Sequence, residues 1–238
     1  MRVNKLAMTL VLAACACHSL ACSLQVQSLL GVQPGSEMSI AVFDLPPDVI
    51  PVEGGASMLI DIDISFFDLL FGSYEGDITV GEVLIAAPGV DFLGFPEFNT
   101  GTLCVVPDPD DPGGGTFDAS LFQKTATFDV AVNTVAMITN PVVLALIVGG
   151  NFDFPFSFQS SVPFGLAEII GILGGGGPEL EVTEAIDQEL RFAVDLDGPG
   201  GNNPIFVIAT VGGQLTMATV DAFPSSPLLD DCIEVLAE

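Results

Sequence analysis

Met58-Leu59-Ile60-Asp61-Ile62-Asp63-Ile64-Ser65-Phe66 is the stretch that decides the fold. Met58, Ile60, Ile62, Ile64 and Phe66 fall on one face, with Asp61, Asp63 and Ser65 opposite. Side chains alternate across a strand with period two, so this pattern describes a strand with one face in a core and the other in water. The alternation recurs along the chain. Ala126, Phe128, Val130 and Val132 alternate with Thr127, Asp129, Ala131 and Asn133. Leu190, Phe192, Val194 and Leu196 do the same between acidic and polar neighbours, as do Phe152, Phe154, Phe156 and Phe158. Shorter runs occupy 38–43, 78–85, 103–106, 116–122, 142–148, 205–211 and 215–220. Turn dipeptides such as Pro34-Gly35, Pro88-Gly89 and Gly212-Gly213 separate them.

This pattern predicts about eleven strands in an all-β, antiparallel β-sandwich, with a β-barrel as the alternative. Runs 142–148 and 205–211 are apolar on both faces and suit central strands. Helical patterning is confined to short stretches at 164–173, 182–190 and 230–237, so one or two short helices are expected. No linker composition interrupts residues 23–238, which read as a single β-rich domain.

The chain has 238 residues, half of them hydrophobic and 15% charged, too apolar for a disordered polymer. Its charge is one-sided: 31 Asp and Glu against four Lys and Arg, a net −27. Every carboxylate lies from Glu37 onward, while Arg2 and Lys5 sit at the start, leaving Lys124 and Arg191 as the only cations beyond residue 22. Nucleic acid is bound through Lys and Arg with release of counterions, so no nucleic-acid partner is expected. The charge also repels anionic lipid surfaces and keeps an apolar chain soluble.

The N-terminus reads as an export signal. Residues 1–5 are basic, 6–13 are apolar, and small residues follow. Leu12-Ala13-Ala14-Cys15 resembles the lipobox of a bacterial lipoprotein precursor, in which the cysteine becomes the acylated N-terminus. Ser19-Leu20-Ala21-Cys22 is a second such candidate, and ordinary cleavage after Ala21 is a third possibility. The resemblance covers residues 1–22 and implies lipidation at Cys15 or Cys22. Neither Ala16 nor Ser23 is Asp, so it further implies sorting to the outer membrane of a double-membrane cell. The expectation is an exported protein of the cell envelope held by an N-terminal lipid anchor, with a secreted or periplasmic form as the alternative. The apolar part of the signal is shorter than the ~20 residues that span a bilayer, and the other apolar stretch, 135–148, is broken by Asn140-Pro141.

Beyond the signal only Cys104 and Cys232 remain. In an oxidising compartment they are expected to form a disulfide, against the alternative of two buried thiols. His18 is the only histidine and lies inside the signal, so a processed chain has no Ser-His-Asp site and no imidazole ligand. Gly174-Gly175-Gly176-Gly177-Pro178 lacks the Lys-Ser/Thr of a phosphate loop. Paired carboxylates alone suffice for glycoside hydrolysis, but there is no Trp and only Tyr74 among tyrosines to hold a sugar ring. The expectation is a protein that is not an enzyme.

Two loops are rich in oxygen ligands. Asp108, Asp110 and Asp111 lie in one and Asp195, Asp197 and Asn202 in the other. Calcium takes six to eight oxygens, so either loop is a candidate calcium site, although acidic loops with Pro and Gly also form plain turns. No other cofactor is expected. The row Phe152, Phe154, Phe156, Phe158 lines either a pocket for an apolar ligand or a packed core beside an edge, since Pro155 cannot donate to a ladder. Together these readings predict a non-enzymatic exported envelope or surface lipoprotein with a structural or binding role. The alternative is a carrier of lipid or another apolar ligand with a Phe-lined interior. An unknown protein or an apolar small molecule is the partner in either case.

Overall fold

The alternating run around Ile60 is paired along both of its edges. The computed structural model describes residues 21–42, 46–65, 68, 72–91, 99–149, 152–173, 179–195 and 204–236. Strand β4 (Glu53–Ser65) runs between β1 (Ala21–Val32) and β5 (Ser73–Ala87), with Ile60 opposite Val26 on one side and Ile78 on the other. Met58, Ile60 and Ile62 are buried, as the alternation requires, and Asp63 is exposed. Gly54, at φ +132°, starts this strand where a Cβ would lie 2.1 Å from the Leu84 carbonyl oxygen, so only glycine fits there.

β5 is long enough to take two partners along its far edge. Residues 73–79 pair with β7 (Gly113–Ser120), which continues through β8 (Thr125–Val132) to β12 (Phe156–Pro163). Residues 85–87 pair with β6 (Leu103–Pro107), which continues through β9 (Thr134–Ile138) to β11 (Phe152–Asp153). The chain crosses between these two branches at Asn133 and again at Phe154-Pro155.

The facing layer is built on β14 (Ile205–Thr219). It pairs along its whole length with β13 (Glu181–Val194), and on its other edge with β2 (Glu37–Val42), which carries β3 (Asp48–Pro51). β10 (Ile147–Val148) adds to the end of β13. β1 joins the layers, since Leu30–Val32 pair with β14 while Ala21–Gly31 pair with β4. All fourteen strands among the described residues therefore belong to one antiparallel network folded over on itself. The fold is all-β and sandwich-like, and the sheet does not close into a barrel.

The main core lies between the layers. Phe117, Phe128 and Val130 from β7 and β8, and Ile60 from β4, share it with Met38, Val182, Val211 and Met217 from the facing layer. A second cluster lies on the outer face of β5 and β6. There α3 (Pro227–Leu236) packs Leu229 and Cys232 against Leu84, Ala86, Cys104 and Val106. Two further helices are α1 (Pro141–Leu144) and α2 (Leu166–Leu173).

Four sequence expectations are corrected. Residues 182–190 form part of strand β13 and not a helix. Val182 and its even-numbered successors turn inward, odd-numbered residues are exposed, and β14 supplies a partner for every residue. Residues 142–148 are not a central strand. The Asn140 side chain accepts from the Val142 and Val143 amides at 2.9 and 3.4 Å and caps α1, with Pro141 opening the helix. The Phe152–Phe158 row is not one strand, because Pro155 breaks it where the chain changes branch. The predicted runs 205–211 and 215–220 are one strand, β14, with Gly212-Gly213 paired inside it and not at a turn. The count therefore reaches fourteen through β1, β3, β9 and the division of the phenylalanine row.

Candidate functional site

The layers meet at two sides, and the two junctions differ. At one side β1 is hydrogen-bonded to both layers. At the other, β11 and β12 run alongside β13 in antiparallel sense, yet among the described residues no backbone ladder joins them. Side chains bridge this seam. The Gln188 amide donates to the Pro155 carbonyl oxygen. The Ser160 hydroxyl donates to the Glu181 carbonyl oxygen at 3.4 Å. At the far end the rings of Phe152 and Phe192 meet edge to face with centroids 4.9 Å apart.

Apolar space runs beneath the seam. A void of about 90 Å³ is lined by Phe152 and Phe154 from one side, Leu190 and Phe192 from β13, and Met38 and Ala209 from β2 and β14. A smaller one of about 20 Å³ shares Met38, Val105 and Phe154 with it and adds Phe156, Glu184 and Ile186. Each borders an open surface groove. Phe156, Glu184 and Ile186 also line a groove of about 370 Å³ with Asp187 and Gln188. Phe152 and Phe192 also line one of about 600 Å³ with Asp153, Glu189, Arg191 and Phe206. Phe152, Phe154 and Phe156 thus border successive spaces from groove to groove. Phe158 does not: it is buried in the main core, opposite Val130.

Both grooves are electronegative. The first carries Glu184 and Asp187 and no cation. In the second, Arg191 Nε lies 2.5 Å from Glu189 Oε1, and Asp153 remains without a cation in the lining. The inner walls hold almost no polar atoms, Thr100 and Glu184 being the polar residues there.

The other candidate residues lie elsewhere. Asp108 Oδ1 accepts from the Asp110 amide at 2.9 Å, and Asp111 Oδ1 from the Gly113 amide at 3.2 Å, so these carboxylates fold onto their own loop. Asp195 is buried at the end of β13, and its amide donates to the Leu146 carbonyl. Asp197 and Asn202 lie outside the described residues, as do Cys15 and Gly174–Gly177. No group of three or more His, Cys, Asp or Glu arranged to hold a metal occurs among the described residues. Cys104 and Cys232 form a disulfide, Cα atoms 5.7 Å apart and 128 residues apart in sequence, which ties α3 to β6. Cys22 is the second residue of β1, with its backbone opposite Ile64. Tyr74 is buried against Phe164, and desolvation, followed by the nearby Asp68 charge, raises its pKa above the usual tyrosine value.

Within β13, Leu190, Phe192 and Val194 were read as strand, and the part of the seam that sequence reasoning missed is 182–189. The signal was present in the inward series Val182, Glu184, Ile186, Gln188, Leu190, Phe192, which keeps period two through a stretch that also fits a short helix. Compared with protein-family models, with curated proteins and with solved structures, the chain matches none.

Proposed function

We propose that this chain is an exported, non-enzymatic protein of the cell envelope with a structural or binding role, tethered by an acylated N-terminal cysteine. The observation that carries the reading is the Cys104–Cys232 disulfide, because such long-range staples persist in oxidising compartments and not in a reducing cytosol. The signal features at residues 1–22 support the same destination. Strand β1 begins at Ala21. Acylation at Cys15 leaves residues 16–20 between the lipid and the first ladder pair, whereas acylation at Cys22 places the lipid inside the ladder with β4. Cys15 is therefore the favoured anchor, with the outer membrane its destination. Once residues 1–22 are removed the chain has no histidine, and its 31 carboxylates leave it no means of holding nucleic acid.

A second reading has a specific observation behind it. Phe152, Phe154 and Phe156 border linked apolar voids, which supports a carrier of an apolar small molecule. The larger void, about 90 Å³, is below the ~300–1,000 Å³ of ordinary ligand pockets, so a bulky lipid has no room without rearrangement.

Intact mass of protein purified from native membranes tests the main reading. The expected species begins at Cys15 and carries acyl chains. An unmodified chain beginning at Cys22 or later removes the anchor, and free thiols at both Cys104 and Cys232 in the folded native protein remove the export argument.

A further inference from the structure

We propose that the seam between β11–β12 and β13 is the entrance to a binding site for a single-chain apolar molecule whose head group is uncharged or cationic. The inference rests on the carrier reading above and adds the route, the shape and the head-group charge of the ligand.

The route follows from how the two edges are held. A strand that leaves a ladder gives up a row of backbone hydrogen bonds, each costly to leave unmade. β13 is bonded in that way to β14 and not to β12. Among the described residues, moving β11–β12 away from β13 gives up side-chain bonds at Gln188 and Ser160, the Phe152–Phe192 ring contact and apolar packing, and it breaks no backbone ladder between them. What it uncovers is apolar: the Phe152, Phe154, Phe156 row on one lip and Ile186, Leu190 and Phe192 on the other.

The shape follows from the voids. They are small and adjacent, sharing Met38, Val105 and Phe154 as their common wall. The larger is smaller than the ~150 Å³ apolar cavity that accepts benzene in another protein. An unbranched chain lying along the phenylalanine row as the seam parts needs the least separation of its two lips. The head group follows from the mouths, where Glu184 and Asp187 at one and Asp153 and Glu189 at the other outnumber the single cation, Arg191. A carboxylate or phosphate placed there meets like charge, while a hydroxyl or an ammonium group finds acceptors.

The test uses the purified native protein and N-dansyl-decylamine, whose head is uncharged and whose emission rises in an apolar site. Decanol, decyltrimethylammonium and decanoate, all below their micellar concentrations, compete with it at pH 7. Saturable binding is expected, with decanoate weaker than decyltrimethylammonium by about tenfold or more. Ala209→Leu fills the larger void from β14; it should raise the melting temperature of the free protein and abolish the dansyl signal. Ala136→Leu fills the same void from β9 and serves if the first variant does not fold. Gln188→Ala removes a seam bond without touching the larger void and should speed association several-fold. Binding that both filling variants leave intact places the ligand outside the voids and overturns the site. Binding blocked by filling but with an association rate unchanged in Gln188→Ala overturns the seam as entrance and leaves the carrier reading standing. Equal competition by decanoate overturns the head-group assignment. No binding of the dansyl probe by the wild-type protein overturns the carrier reading and this inference together.

Discussion

β13 has two edges, and they are built differently. Toward β14 it forms an unbroken ladder of fourteen residue pairs from Glu181 to Val194. Toward β12 it has only side-chain contacts, although the neighbouring strand runs alongside in the right sense to pair. The packing beneath the edges differs in the same way. On the β7–β8 side Phe117 and Phe128 are fully buried with ring centroids 5.1 Å apart, and Phe158 and Val130 complete a dense cluster. Below the seam Phe152, Phe154 and Phe156 border space. A void removes contact partners from the atoms that line it, so the same residue type stabilises the two regions unequally. One part of the sandwich is made to stay shut. The other closes by contacts that are individually weak.

The largest effect expected falls on neither side of that contrast but on the outer face of β5 and β6. Cys104 and Cys232 close a loop of 128 residues, for which chain entropy gives a stabilisation of about 5 kcal/mol, lowered by any native-state strain. Reduction, or a Cys104→Ala/Cys232→Ala variant, should lower the melting temperature and free α3 from β6. An unchanged midpoint in chemical denaturation would mean that the helix contacts Leu229 and Leu84 hold that face without the staple.

The two phenylalanine groups give the most direct contrast. Phe128→Ala should cost toward the upper end of about 3–5 kcal/mol, because the surrounding cluster has no slack in which to relax. Phe154→Ala, which removes a side chain already beside a void, should fall toward the lower end of the same range. Urea denaturation of the two variants measures the difference. Equal losses would show that the space below the seam counts for nothing in the folded protein.

How much of this was legible in the sequence differs between the same two regions. The strands around Ile60 and Phe128 alternate cleanly between apolar and polar residues because one face is in a core and the other in water, and both were readable. β1 was not, because Ala21–Val32 begins within the signal motif, and Ser28, buried on its inner face, interrupts the apolar series. The seam was only half legible. The phenylalanine row stood out, and Pro155 marked an edge, but nothing local shows that the chain there changes partner from β9 to β8. Its opposite lip in β13 carries Glu184 and Gln188 among the inward residues, which thins the apolar stripe and gives Val182–Leu190 a helical look. Polar residues at inward positions are affordable there because the edge is open to water. Residues 142–148 misled for another reason: the Asn140 cap outweighs the β preference of the valines that follow. The pairing of Cys104 with Cys232 was legible only through the arithmetic of two cysteines left over, since 128 residues separate them.

The smallest effect on stability carries the most information about the seam. Gln188→Ala deletes one exposed side-chain hydrogen bond, and such bonds contribute about 1 kcal/mol or less, so the melting temperature should barely move. Amide hydrogen exchange should respond far more. Along β13, the amides directed at β14 are held by a ladder and should exchange only through openings close to global unfolding. Those on the other edge, short of Ala193 and Val194 where β10 pairs, have no ladder partner among the described residues and should exchange through local openings of much lower free energy. In Gln188→Ala the second set should exchange faster still while the first is unchanged. Since neighbouring residues of one strand differ only in direction, each amide serves as the control for the next. Uniform protection along β13 in the wild-type protein would mean that the junction is as firmly closed as the β1 side, and the contrast between the two edges would not survive it.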